Sequence, residues 1–147
     1  MDIYQATKDD LDGLSVLFNL YRQFYKQKSD LEGAKVYLNE RLENNDSILF
    51  VVKERKSYIG FVQLYPSFSS VAMKKIWILN DLYVHENARK QGVATVLLDK
   101  AKSYAMKTGA KRISLSTAID NAVAQKLYEK NGYKKETQFY YYDLVLD

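Results

Sequence analysis

The stretch Lys75–Thr95, KIWILNDLYVHENARKQGVAT, constrains the fold more than any other part of the chain. Ile76, Trp77, Ile78, Leu79, Leu82, Tyr83 and Val84 form a nearly continuous apolar run, interrupted only by Asn80 and Asp81. A run of that kind predicts a strand covered on both faces. HENARKQGVA then turns polar and basic, and Gly92 opens a segment with helical spacing. Arg89, Lys90 and the unpaired N–H groups of Gln91, Gly92, Val93, Ala94 and Thr95 are expected to converge at that helix's N-terminus. Free amides and the helix dipole attract an anion there, by about 0.3–1 kcal/mol for each well-placed charge. Gly92 and Ala94 contribute by what they lack, because a large side chain would hold a phosphate away from the backbone. A diphosphate-sized site at a strand–loop–helix junction is the expectation.

Size and composition narrow what surrounds that junction. A chain of 147 residues fits one domain, long enough to bury about two-thirds of its unfolded surface. No apolar run reaches membrane-spanning length, and the opening MDIYQATKDD lacks a basic-then-apolar pattern, so a cytoplasmic protein is expected. The absence of cysteine removes disulfides, thiolate nucleophiles and cysteine metal sites together. With His85 the only histidine, a multi-histidine metal site is excluded, and no metal is expected. A net charge of +4 suits a polyanionic cofactor, whereas a nucleic-acid-binding domain would cluster its basic residues more densely. Thirteen tyrosines are the compositional oddity.

In chain order, IYQAT predicts a short strand, and Thr7 or Asp9 can cap the helix after it. Leu11, Leu14, Leu17, Phe18, Tyr21 and Tyr25 recur at three and four, a core-facing stripe that leaves Arg22 and Tyr25 near the helix end. A second helix spans Asp30 to Asn44, with Val36, Leu38 and Leu42 on its apolar side. Ile48–Val52 and Tyr58–Tyr65 predict a hairpin; Gly60 suggests a bulge or a close backbone approach, and Pro66 is expected to end the second strand. Beyond the phosphate-sized loop, Ala94, Leu97, Leu98, Ala101, Tyr104 and Ala105 mark a helix closed by Gly109. Lys111–Thr117 predicts a strand, Asp120 or Asn121 caps a last helix, and Gln138–Leu146 predicts a long C-terminal strand.

Two motifs in this order resemble those of the GNAT superfamily of N-acetyltransferases. Arg89-Lys90-Gln91-Gly92-Val93-Ala94 fits its Q/R-x-x-G-x-G/A signature, which cradles the pyrophosphate of acetyl-CoA. Asn121, then Leu127-Tyr128-Glu129-Lys130-Asn131-Gly132-Tyr133, resembles its C-terminal signature, with Ala124 as the small residue on the helix face. The resemblance implies an α/β fold: a mixed, mostly antiparallel sheet flanked by helices, splayed between two central parallel strands. It also implies one acetyltransferase domain over residues 1–147, acetyl-CoA as cosubstrate and an amine acceptor, with a homodimer possible and neither nucleic acid nor membrane as partner.

Residue roles follow from the same resemblance. Asn121 would bond the pantetheine arm, and the Tyr128 phenol would protonate the departing thiolate, although Asn121 also fits a plain helix cap and Tyr128 a core aromatic. A backbone N–H near Leu82 or Tyr83, on a bulged strand running on to Val84, would meet the oxyanion. In the spermidine/spermine branch, which this strand resembles, a glutamate stands where this chain has Asn80. Asn80 cannot take a proton, so Asp81 becomes the nearest base, with a structural role at the bulge equally open. Arg22, Tyr25, Asn80 and Tyr140 are candidates for the acceptor site. The chemistry expected is direct acetyl transfer to a primary amine on a small amine, a polyamine or a lysine side chain. A non-catalytic acyl-CoA-binding module is the alternative.

Overall fold

The computed structural model describes residues 1–147, which divide into two compact units, Met1–Ser116 and Thr117–Asp147. The first begins with β1 (Asp2–Gln5) and a short 3-10 turn capped by Thr7, whose N–H donates to Asp10 Oδ2 at 3.0 Å in a capping box. Helices α1 (Leu11–Phe24) and α2 (Leu31–Asn44) follow, and the Asp30 carboxylate caps α2 by accepting from Gly33 N–H at 2.9 Å. Then come β2 (Ile48–Glu54), β3 (Ser57–Ser69), β4 (Lys74–Val84), α3 (Val93–Lys107) and the two-residue β5 (Ile113–Ser114). The five strands lie in the order β1-β2-β3-β4-β5, antiparallel except for the parallel β4–β5 pair.

The sheet is covered on both sides, as its unbroken apolar strands require. Leu14, Leu17 and Phe18 of α1 and Ala34 and Leu38 of α2 pack with Leu49, Val51 and Phe61. On the opposite face Tyr104 of α3 meets Phe50 and Trp77, with ring centroids 5.5 and 5.4 Å away, and Trp77 Nε1 donates to Thr108 Oγ1 at 2.9 Å. Gly60 makes the second layer possible. A Cβ there would lie 2.9 Å from Val93 Cγ1 and 3.2 Å from Leu97 Cδ1, so its bare backbone is where α3 settles. The expected irregularity is beside it, because Val52 pairs with Gly60 and Lys53 with Tyr58, leaving Ile59 as the extra residue.

Several expectations need correction. Pro66 does not end its strand: β3 runs on to Ser69, and a four-residue turn returns it to β4. Strand β2 stops opposite Leu64, so this part of β3 has one unpaired side, where a missing N–H costs no ladder bond. The strand expected over Lys111–Thr117 shrinks to Ile113–Ser114, and Val36 on α2 is exposed while Ala34 is buried. No strand forms over Gln138–Leu146, whose Tyr140, Tyr141 and Tyr142 are exposed. Alternation shows that a segment fits a pleated surface; it does not supply the neighbouring strand that a ladder needs.

The second unit contains α4 (Ala122–Lys130). Asn121 caps it, its Oδ1 accepting from Ala124 N–H at 3.1 Å, and Gly132 leaves it with φ at +93°. No helix of the protein is long and apolar enough to cross a membrane.

Candidate active site

The bulge in the central strand lies two residues before the position expected. Gln63 pairs with Asp81 but Leu64 with Leu79, so Asn80 is the inserted residue, not Leu82 or Tyr83. Alternation without the insertion would put Asn80 on the α1 side of the sheet and turn Asp81 toward α3. The extra residue shifts the alternation after it and brings Asp81 to the α1 side, while Asn80 still borders the same cavity. Asp81 therefore faces the same way as Gln63, Phe61 and Tyr83, under α1, where the Tyr21 ring packs 5.6 Å from Phe61 and 6.0 Å from Tyr83.

Asp81 is only 5% exposed, and polar side chains surround it. Gln63 Nε2 donates to its Oδ2 at 2.7 Å and Asn80 Nδ2 to its Oδ1 at 3.1 Å, with the Tyr21 hydroxyl a further donor. Gln63 is fully buried and is itself fixed by Ser47 Oγ, which donates to its Oε1 at 2.8 Å. Burial pushes the Asp81 carboxyl above the ordinary carboxylate range, and the bonds from Gln63, Tyr21 and Asn80 offset only part of that. The carboxyl borders a cavity of about 400 Å³ whose walls include Phe18, Tyr21, Tyr37 and Tyr65. The hydroxyls of Tyr37 and Tyr65 lie 2.6 Å apart, and burial raises the Tyr65 phenol.

Ladder parity decides which backbone amides face away from the sheet. His85 N–H donates to Ile59 C=O at 2.8 Å, so hydrogen-bonded pairs recur at Phe61/Tyr83 and Gln63/Asp81. The Tyr83 amide is thus spent on β3, whereas those of Leu82 and Val84 point to the other edge of β4. Pairing with β5 ends at Ile78–Ser114, six residues before β4 does. The parallel pair opens there, and Leu82 presents its N–H along the open edge.

The loop after β4 is built around two left-handed residues, Lys90 at φ +63° and Gly92 at φ +81°. Gly92 is the N-cap of α3, and no side chain bonds to the helix start. The first intrahelical bond is Val96 N–H to Gly92 C=O at 3.1 Å, which leaves the amides of Val93, Ala94 and Thr95 outside the helical ladder. A Cβ at Gly92 would meet nothing within 4 Å, so the glycine is there for its φ and for the clear approach. Gly92 and Gln91 are exposed. These features fit an anionic, extended ligand such as a diphosphate. Arg89 departs from the expected convergence: its Nε donates to Val84 C=O at 3.1 Å, and its guanidinium lies over Phe24 and Tyr83, 5.8 and 5.6 Å from their centroids.

The predicted site residues thus separate into groups. Arg22, Asn80 and Asp81 border one cavity; Tyr25 stacks edge-on against Tyr21, 5.2 Å between centroids, but is not in that wall. In the second unit Asn121 and Ala124 form the α4 cap, and Tyr128 lies half-buried with its ring 5.8 Å from Tyr133. Burial raises the Tyr133 phenol to about 12. Tyr140 belongs to the second unit and is exposed. Sequence reasoning missed Gln63, Ser47, Tyr37 and Tyr65. A lone glutamine inside YIGFVQLY was the available signal for the first, since a polar residue on a covered strand needs a buried partner. No group of three His, Asp or Glu side chains is placed to hold a metal.

Comparison with known proteins identifies the family of the chain. The uncharacterized N-acetyltransferase YhfO of Bacillus subtilis (strain 168) is 49% identical over 144 residues, covering 98% of this chain and 97% of its own. The crystal structure of a probable acetyltransferase superposes with a TM-score of 0.95 at 44% identity, over 100% of this chain and 99% of the other. An aminoglycoside N-acetyltransferase in complex with CoA shares the fold alone, with a TM-score of 0.82 at 18% identity over 99% and 95% of the two chains. Residues 14–133 match the acetyltransferase (GNAT) family, and with a near-full-length relative at this identity the chain is a member of that family.

Proposed function

We propose that the protein is an acetyl-CoA-dependent N-acetyltransferase that moves the acetyl group directly to a primary amine in a ternary complex. The observation that carries this is the helix start at Gly92: three first-turn amides with no side-chain cap, behind a left-handed glycine that leaves the approach clear. The family match crosses both compact units, which supports a single catalytic domain over residues 1–147. Direct transfer is supported by the absence of cysteine, since no thiol is present to carry the acetyl group between two half-reactions.

Acetyl-CoA supplies the activated acetyl group, and the chain's own groups would do the rest. The amides of Val93, Ala94 and Thr95 hold the diphosphate. The Leu82 N–H donates to the carbonyl oxygen as it becomes an oxyanion. Asp81 takes the proton that the acceptor must lose, and its raised affinity for a proton makes it a stronger base than an exposed carboxylate. The Tyr128 phenol donates a proton to the thiolate as the C–S bond breaks, which balances the step to CoA and an amide. Asn121 uses its side-chain oxygen on the α4 cap and keeps its NH₂ for a carbonyl of the pantetheine arm.

Thiol release from acetyl-CoA over a panel of amines tests the assignment, with Tyr128→Phe beside the parent. At least one amine class should release thiol in step with amide formation. The phenylalanine variant should be slower by about 10²–10⁴-fold where chemistry limits the rate. An unchanged rate in that regime would take the acid role away from Tyr128.

A further inference from the structure

The proposed function leaves the acceptor open, and one side chain in its cavity has no task inside the protein. The arginines differ in what they touch. Arg41 pairs with Asp46 at 2.8 Å, Arg89 bonds Val84 and covers two rings, and Arg112 donates to Ser114 at 3.1 Å. Arg55 sits in the exposed turn between β2 and β3. Arg22 is half-buried on the last turn of α1 and borders the aromatic cavity, yet its guanidinium has no carboxylate, hydroxyl or carbonyl partner. Removing part of a guanidinium's hydration without replacing it costs free energy, which a bidentate anion restores better than any other ligand. The same cavity holds two carboxyls, Asp30 and Asp81. Its charges therefore come in both signs, with Phe18, Tyr21, Tyr37 and Tyr65 supplying the apolar wall.

Resting on the acetyltransferase assignment above, we infer that the acceptor is a free amino acid with an apolar side chain, held by its carboxylate on Arg22 while its amine faces Asp81. A polyamine would set a second cation against Arg22, and a neutral amine would leave the guanidinium bare. The cavity volume of about 400 Å³ suits a ligand of amino-acid size. Aromatic walls favour an apolar side chain on it.

The test compares four matched acceptors with the full chain and acetyl-CoA: phenylalanine, its amide, its methyl ester and phenethylamine, with rates normalised to the neutral amine. Phenylalanine should have the highest kcat/KM, by roughly 10- to 100-fold over the amide. Arg22→Ala should collapse that preference toward unity and Arg22→Lys should keep part of it. Equal use of phenylalanine and its amide by the parent, or an undiminished preference in Arg22→Ala, would overturn the inference. If no amine releases thiol, the transferase assignment fails, and calorimetry of phenylalanine binding still decides the role of Arg22. Binding lost in Arg22→Ala supports it; equal binding in parent and variant, or none in the parent, removes it.

Discussion

Asp81 shows how one side chain's environment sets both a reactivity and a stability. Its carboxyl is buried beneath α1, and burial raises its proton affinity despite three hydrogen-bonding neighbours. The catalytic consequence is that the ionised, proton-accepting form appears only at a pH above the ordinary carboxylate value. After normalising to neutral amine, kcat/KM should climb as pH rises through the raised pKa, and Asp81→Asn should abolish that limb. A limb that persists in the variant would move the base elsewhere. Stability takes the opposite sign. The native state holds this proton more tightly than the unfolded chain does, so folding loses free energy as pH rises from the ordinary carboxylate value through the raised one. Asp81→Asn should therefore gain in urea midpoint relative to the parent across that window, while losing activity. A less stable core at working pH would be the cost of the base role proposed for Asp81.

The expectations that failed at the scale of elements were those that depend on neighbours in space. The apolar run of β4, the polar loop and the helical spacing after Gly92 are local patterns, and each became the predicted element. The bulge at Asn80 was misplaced because its position depends on register against β3, set by Gln63 and Leu64 on the neighbouring strand and not by β4 itself. Pro66 was over-read for a related reason, since whether a missing N–H matters depends on where β2 stops. The Gly60 expectation held because a glycine in an apolar strand points to a close neighbour whatever that neighbour is. Here it is α3, so Gly60→Ala should wedge the helix from the sheet and cost about 1–3 kcal/mol of stability. Pairing it with Val93→Ala should recover part of the loss, because Val93 Cγ1 is the nearest atom to the added methyl. Additive costs in urea denaturation of the single and double variants would mean the methyl is accommodated elsewhere.

For the molecule as a whole, the first unit carries its core on both faces of one sheet, and the proposed cofactor surface is an end of that sheet with little of its own to hold it. The start of α3 has no side-chain cap, and β4 runs six residues past its parallel neighbour. A ligand that fills those unused amides adds stability by mass action alone. At a hundredfold excess over its Kd, acetyl-CoA should stabilise the fold by about 2.7 kcal/mol, a rise in Tm on the order of 5–10 °C for a chain of this length. Gly92→Asp separates the site from the fold. Aspartate tolerates a left-handed φ better than most residues, so the free variant should lose only about 1 kcal/mol. Its carboxylate would nonetheless stand where the diphosphate belongs, and the Tm rise should vanish. Salt gives the matching control: with a net charge of +4 and exposed Lys90 and Gln91 beside the helix start, the rise in the parent should shrink at high ionic strength without disappearing. A full rise in Gly92→Asp would place the cofactor somewhere other than the start of α3, and the roles given to Val93, Ala94 and Thr95 would fall with it.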